Sequence, residues 1–205
     1  WKLDGGGSAF DIGHQGLQLS LRMADGRSSC TSLRADLWDA LGCTSPASIK
    51  ALAAGPLLGV AELARLAPIV HSHAEAGDPQ ALKVIHDSAC ALTDAVVGVA
   101  EALKLAPPTI NAQGGAITHL PLLRSELERQ LNQRLPGWHW SNAGGDACHV
   151  ICRVVRLQPG GKAPRQPDGV SERCGYLAFL GNQDQILVAH ELADRSHLFR
   201  RQTGA

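Results

Sequence analysis

"PTINAQGGAITHLPLLRSELERQLNQRLPGW", residues 108–138, is the stretch whose reading decides the fold class. Thr109–Ala112 has the composition of a short strand, and Gly114–Gly115 that of a tight turn. Pro121–Leu135 reads as a helix, because Leu123, Leu127 and Leu131 recur at four-residue steps and form one apolar stripe. Leu120 and Leu135 extend that stripe, and Gly137 follows its end. A strand, a glycine turn and a helix in succession are the parts of an α/β layer.

Outward from this stretch the chain is mostly helical. "DPQALKVIHDSACALTDAVVGVAEALKLAPP" has Asp78 as an N-cap and Pro79 as first helical residue. Leu82, Ile85, Ala89, Leu92, Val96, Val99 and Leu103 then alternate by threes and fours along one face. Pro107 and Pro108 stop this helix, which would run roughly 39 Å. Earlier helices are expected over residues 14–24, over "TSLRADLWDALG" closing at Gly42, and from Ser45-Pro46 to Gly55. Residues 60–75 carry Leu63, Leu66 and Val70, with a kink or break at Pro68.

After about residue 146 the texture changes. "CHVICRVVRLQ" is compatible with a strand, "PGGKAPRQPDGVSER" is a polar linker, and an apolar run followed by a weak helical pattern closes the chain. The expected division is a domain over residues 1–146 and an atypical tail over 147–205.

Bulk properties narrow the function. Lys+Arg and Asp+Glu each number 19 in 205 residues, so the formal net charge is zero. That balance disfavours a nucleic-acid or anionic-membrane footprint. No apolar run approaches the ~20 residues of a membrane span, and "WKLDGGGS" is no signal peptide. Six dispersed cysteines suggest a reducing, cytoplasmic setting, with Cys90 a small buried thiol in a helix.

Two glycine sites and one cysteine cluster invite chemistry. Glycine at a strand end permits positive φ and leaves room for a flat ring against the backbone, so Gly114 and Gly115 form the more specific site. An ordinary strand-to-helix turn is the plain alternative. The opening "WKLDGGGSAFDIG" is either a ligand loop or a simple turn. Cys148, His149 and Cys152, with His139 nearby, lack the second cysteine couple of a zinc site unless Cys174 supplies it, and no metal ligand is assigned. "PGGKAP" lacks the first glycine and the Ser/Thr of a Walker loop. His71 and His73 read as helix-surface residues.

In order along residues 1–146, these pieces resemble the C-terminal half of the N-acetylglucosamine/glucosamine kinases, within the wider BadF/BadG/BcrA/BcrD-type ATPase family. "GGGSAFDIGHQGLQLSLRMADGR" looks like that family's glycine-serine loop and following helix, commonly Gly-Asp-Glu-Gly-Ser-Gly-x-x-Ile-Gly. "LARLAPIVHSHAEAGDPQALKVIHDSACALTDAV" resembles its Leu-Ala-Pro…Ala-Gly-Asp-Pro helix entry. "INAQGGAITHLPLLRSELERQL" is similar to its adenosine segment, Gly-Gly followed by Pro-Leu-Leu at a strand-helix junction. The matching fades near Asp146.

The resemblance implies a ribonuclease H-like (actin/hexokinase-like) ATPase fold, helix-rich with an incomplete sheet, whose first half would lie upstream of Trp1. It implies transfer of the ATP γ-phosphoryl group, with Mg²⁺, to the C6 hydroxyl of N-acetylglucosamine or glucosamine. Gly114, Gly115 and Ala116 are the implied adenosine-binding residues, and Asp4 and Ser8 the sugar-side candidates. Gly5 and Gly6 stand where the family carries an acidic pair, and no catalytic base is assigned. This chain alone is therefore expected to lack turnover. The alternatives are a non-catalytic nucleotide- or sugar-binding remnant, and an iron–sulfur ATPase activator of a CoA-dependent reductase. An incomplete sheet would leave an edge that favours association, such as a homodimer.

Overall fold

The computed structural model describes residues 5–103, 105, 107–112 and 114–141, with the backbone of 176–178 and 186–189. Asp4, the expected strand at 148–158 and the expected linker lie outside the described residues.

Helix α1 (Ala9–Ala24) starts earlier than its sequence pattern suggests, because Ser8 caps it. Its glycines let other helices approach. A Cβ at Gly13 would stand 1.8 Å from the Leu63 carbonyl oxygen, and one at Gly16 2.6 Å from Val70 Cγ2. Those partners belong to α4 (Val60–Ala64) and α5 (Ala67–Glu75), which part where Pro68 starts the second of them. The expected break at that proline is thus present.

Helix α2 (Leu33–Ala40) buries Leu33, Leu37 and Trp38. The Trp38 indole N–H donates to Ser20 Oγ at 2.9 Å, and Ser20 donates to the Leu17 carbonyl at 2.7 Å. A buried indole and a buried hydroxyl thereby satisfy each other and tie α2 to α1. Helix α3 (Pro46–Ala54) begins at Ser45, whose hydroxyl accepts from the Ser48 amide while Ser48 Oγ accepts from the Ser45 amide.

The long helix α6 (Pro79–Leu103) forms the spine. The Asp78 carboxylate accepts from the Gln80 and Ala81 amides at 2.8 and 3.1 Å, so the predicted cap is real. Its inward face is slightly rotated from the expected one. Leu82 is 39% exposed, whereas Ala81 and Ile85 are buried. Helix α6 packs most extensively on α8 (Pro121–Arg134) and α5. Leu123, Leu127 and Leu131 of α8 are fully buried, as their spacing predicted.

Among the described residues, four short strands complete the fold: β1 (Thr109–Ala112), β2 (His139–Trp140), β3 (Tyr176–Ala178) and β4 (Ile186–Ala189). Their order is β2-β1-β4-β3. Strands β1 and β2 run parallel, with Thr109 opposite His139, and β4 is antiparallel to both β1 and β3. Strand β2 is too short to show any sequence period, and β4 falls in the closing stretch, for which the sequence suggests an apolar run and then a weak helical pattern. Between β1 and α8 stands a further short helix, α7 (Gly115–His119). The whole is a helix-rich α/β arrangement with a small sheet. Among the described residues, no helix is long and apolar enough to cross a membrane.

Candidate functional site

The C-terminal end of β1 leads into a sharp corner. Gly114 adopts φ 112° and ψ 161°, a backbone region open almost only to glycine. Gly115 then opens α7, and the Gly114 carbonyl accepts from the Thr118 amide at 3.1 Å. Ala116 is 8% exposed and joins the apolar core. Helix α7 has five residues and stands between the turn and α8, which starts at Pro121 as its leucine pattern predicts.

The corner holds a polar group that sequence reasoning missed. Asn111, on β1, is 6% exposed. Among the described residues no acceptor pairs with its Nδ2. An unpaired buried amide costs about 1–3 kcal/mol, so such a group is a donor in need of a partner. The carboxyl end of a strand is also where open α/β sheets hold their ligands.

His71 ties the start of α8 to α5. It is buried, not on the surface as its helix position suggested. Its Nε2 accepts from the Leu122 amide at 3.1 Å, capping one of the unpaired first-turn amides of α8. Nδ1 faces Glu75 Oε2 at 3.4 Å. His73 likewise reaches Asp36 of α2 at 2.7 Å.

The glycine loop before α1 has a different character. Ser8 Oγ donates to the Gly5 carbonyl at 2.7 Å and accepts from the Asp11 amide at 3.2 Å. The Asp11 carboxylate accepts from the Gly7 amide at 2.9 Å and from Gln15 at 2.7 Å. The Ser8-x-x-Asp11 spacing is the sequence signature of this capping pair. The loop also lies tightly on α6. A Cβ at Gly7 would meet Leu92 Cγ at 2.3 Å, and one at Gly6 would meet Ala91 Cβ at 2.8 Å. Gly7 has φ 80° as well, so close approach and backbone conformation both demand glycine there.

The strongest charge cluster joins α6 to α8. Glu126 Oε1 accepts from His86 Nδ1 at 2.7 Å, from Arg129 Nη2 at 2.6 Å and from Gln130 Nε2 at 2.9 Å. The Arg129 guanidinium, aided by Gln130 and His86 against the cost of burial, lowers the Glu126 carboxyl from 4.5 to about 2. Its stabilising effect is therefore complete above pH 4.5 and disappears as the pH falls through about 2. Replacing Glu126 with Gln should cost about 2 kcal/mol at pH 7, after discounting for solvent around the half-exposed Arg129. Urea melts of both proteins should show that difference shrinking between pH 4.5 and 2. A gap that does not change with pH would contradict this account.

Among the described residues, no group of three His, Cys, Asp or Glu side chains could hold a metal ion. Cys30, Cys43 and Cys90 are free thiols.

This arrangement has a solved counterpart. The chain resembles the crystal structure of a candidate N-acetylglucosamine kinase from Chromobacterium violaceum, with a TM-score of 0.51 and 25% sequence identity. The likeness covers 63% of this chain and 42% of that one, so the chain spans less than half of the neighbour's length. No family model and no curated protein matches the sequence. The relationship is a distant one, carried by structure.

Proposed function

We propose that this chain is part of an ATP-dependent amino-sugar kinase acting at the C6 hydroxyl of N-acetylglucosamine or glucosamine, and that the Gly114 corner receives adenosine. The observation that carries the reading is the structural likeness to the candidate N-acetylglucosamine kinase. The glycine-only backbone of Gly114 and the buried Asn111 donor support it locally. With Gly114 lacking a Cβ, a flat base can lie against the peptide plane, with Gly115 and Ala116 the next residues along the chain. Asp4 and Ser8 are the sugar-side candidates on this reading, within a ribonuclease H-like domain over residues 1–146.

A second reading, a nucleotide-binding module without sugar phosphorylation, is favoured by one specific observation. The Ser8 hydroxyl is used as both donor and acceptor inside its own loop, and Asp11 is held by Gly7 and Gln15. A sugar would have to displace those bonds. Separate calorimetric titrations with ATP and with glucosamine test both. Saturable heat with ATP is the expected result, and its absence would overturn both readings. A glucosamine response in addition selects the kinase; none selects the module.

A further inference from the structure

On the outer side of the α6–α8 joint, three groups form a line. Cys90 Sγ lies 3.5 Å from His86 Nε2, and His86 Nδ1 lies 2.7 Å from Glu126 Oε1. Thiol and imidazole are one helical turn apart on α6, and the carboxylate comes from α8. The thiol and the carboxylate sit at opposite ends of one imidazole, so the three cannot converge on a single metal ion. They can relay a proton. With Nδ1–H donated to Glu126, Nε2 is left as the acceptor facing the thiol. Glu126 is itself fixed by Arg129 and Gln130, which orients the ring. Cys90 is not the buried thiol that its place in an apolar helix suggested. It is partly exposed, and the His86 side chain is 51% exposed.

We propose that Cys90 is a modification site that forms a mixed disulfide with a low-molecular-weight disulfide, with His86 as proton acceptor and Glu126 as the positioning residue. In the step, His86 Nε2 takes the proton from Cys90 Sγ, and the thiolate attacks one sulfur of the disulfide. A new S–S bond forms as the old one breaks. The departing thiolate recovers the proton from His86. Cys90 is oxidised and the leaving sulfur is reduced, so one disulfide and one thiol enter and one of each leaves. An adduct there would stand at the joint that holds α8 on α6.

The test uses the full chain and glutathione disulfide, with each cysteine followed by peptide mass spectrometry over time. Cys30 is the internal reference, because it is exposed and its sulfur contacts only the Thr31 carbonyl among the bonds seen. Cys90 should form its mixed disulfide at least tenfold faster than Cys30, although it is the less accessible thiol. His86→Ala should bring the two rates within about twofold, and added imidazole should restore the Cys90 rate without affecting Cys30. A Cys90 rate equal to or below that of Cys30, or one unchanged by His86→Ala, would overturn the proposal. Should the variant fail to fold, the wild-type ratio of the two rates decides alone.

Discussion

Gly13→Ala is expected to lower the thermal midpoint of this protein by about 10 °C or more, or to prevent folding. Intrinsic helix propensity points the other way, since alanine is favoured over glycine in a helix by about 1 kcal/mol. Packing wins because the new Cβ would stand 1.8 Å from the Leu63 carbonyl oxygen, 2.8 Å from its carbon and 3.2 Å from Leu66 Cβ. The obstacle is backbone. The Leu63 carbonyl also accepts from the Leu66 amide at 3.0 Å, in the turn between α4 and α5, so it cannot swing away without breaking that turn. The net cost should reach about 3–5 kcal/mol, at the upper end of overpacking penalties. At about 2–4 °C per kcal/mol for a chain of this size, that gives the predicted fall. Gly98→Ala is the matched control. Gly98 is an exposed glycine of α6 with nothing within 4 Å of an added Cβ, so it should gain about 1 kcal/mol. Thermal melts by circular dichroism would show the two substitutions shifting in opposite directions. A stable Gly13→Ala protein would mean that α1 does not approach α4 this closely.

Gly114→Ala is expected to weaken ATP binding at least tenfold while costing about 1–3 kcal/mol of stability. The two effects have different origins. The stability cost comes from forcing a Cβ-bearing residue into φ 112°, ψ 161°. The binding loss comes from the methyl group occupying the space against which the base is proposed to lie. Calorimetry at a temperature where the variant remains folded separates them. Undiminished ATP affinity in a destabilised variant would remove the adenosine site from this corner while leaving the fold description intact.

Much of the architecture was legible because it is local. The leucine stripe at 123, 127 and 131, the Asp78-Pro79 and Ser45-Pro46 starts, and the Pro68 break each depend on residues within a turn or two of one another. The strand at Thr109–Ala112 and the glycine corner after it belong to the same class. Strand β2 was not visible, since two residues carry no period, and the strand state of β4 depends on pairing with a distant neighbour. The candidate site was legible only in part. Gly114 was recognisable as a backbone feature, whereas the buried state of Asn111 depends on the sheet around it.

The sequence by itself determined where the helices start and stop, which leucines face inward, and that a strand ends in a glycine corner. These follow from helical periodicity, capping chemistry and the stereochemistry of glycine and proline. Only the tertiary structure decided that His71 caps a helix 51 residues away, that His86 meets a carboxylate 40 residues away, and that Gly13 faces a backbone carbonyl. It also turned Leu82 outward and Ala81 inward. The reason is physical: burial and side-chain pairing are properties of the space between elements, and that space exists only once the elements have packed.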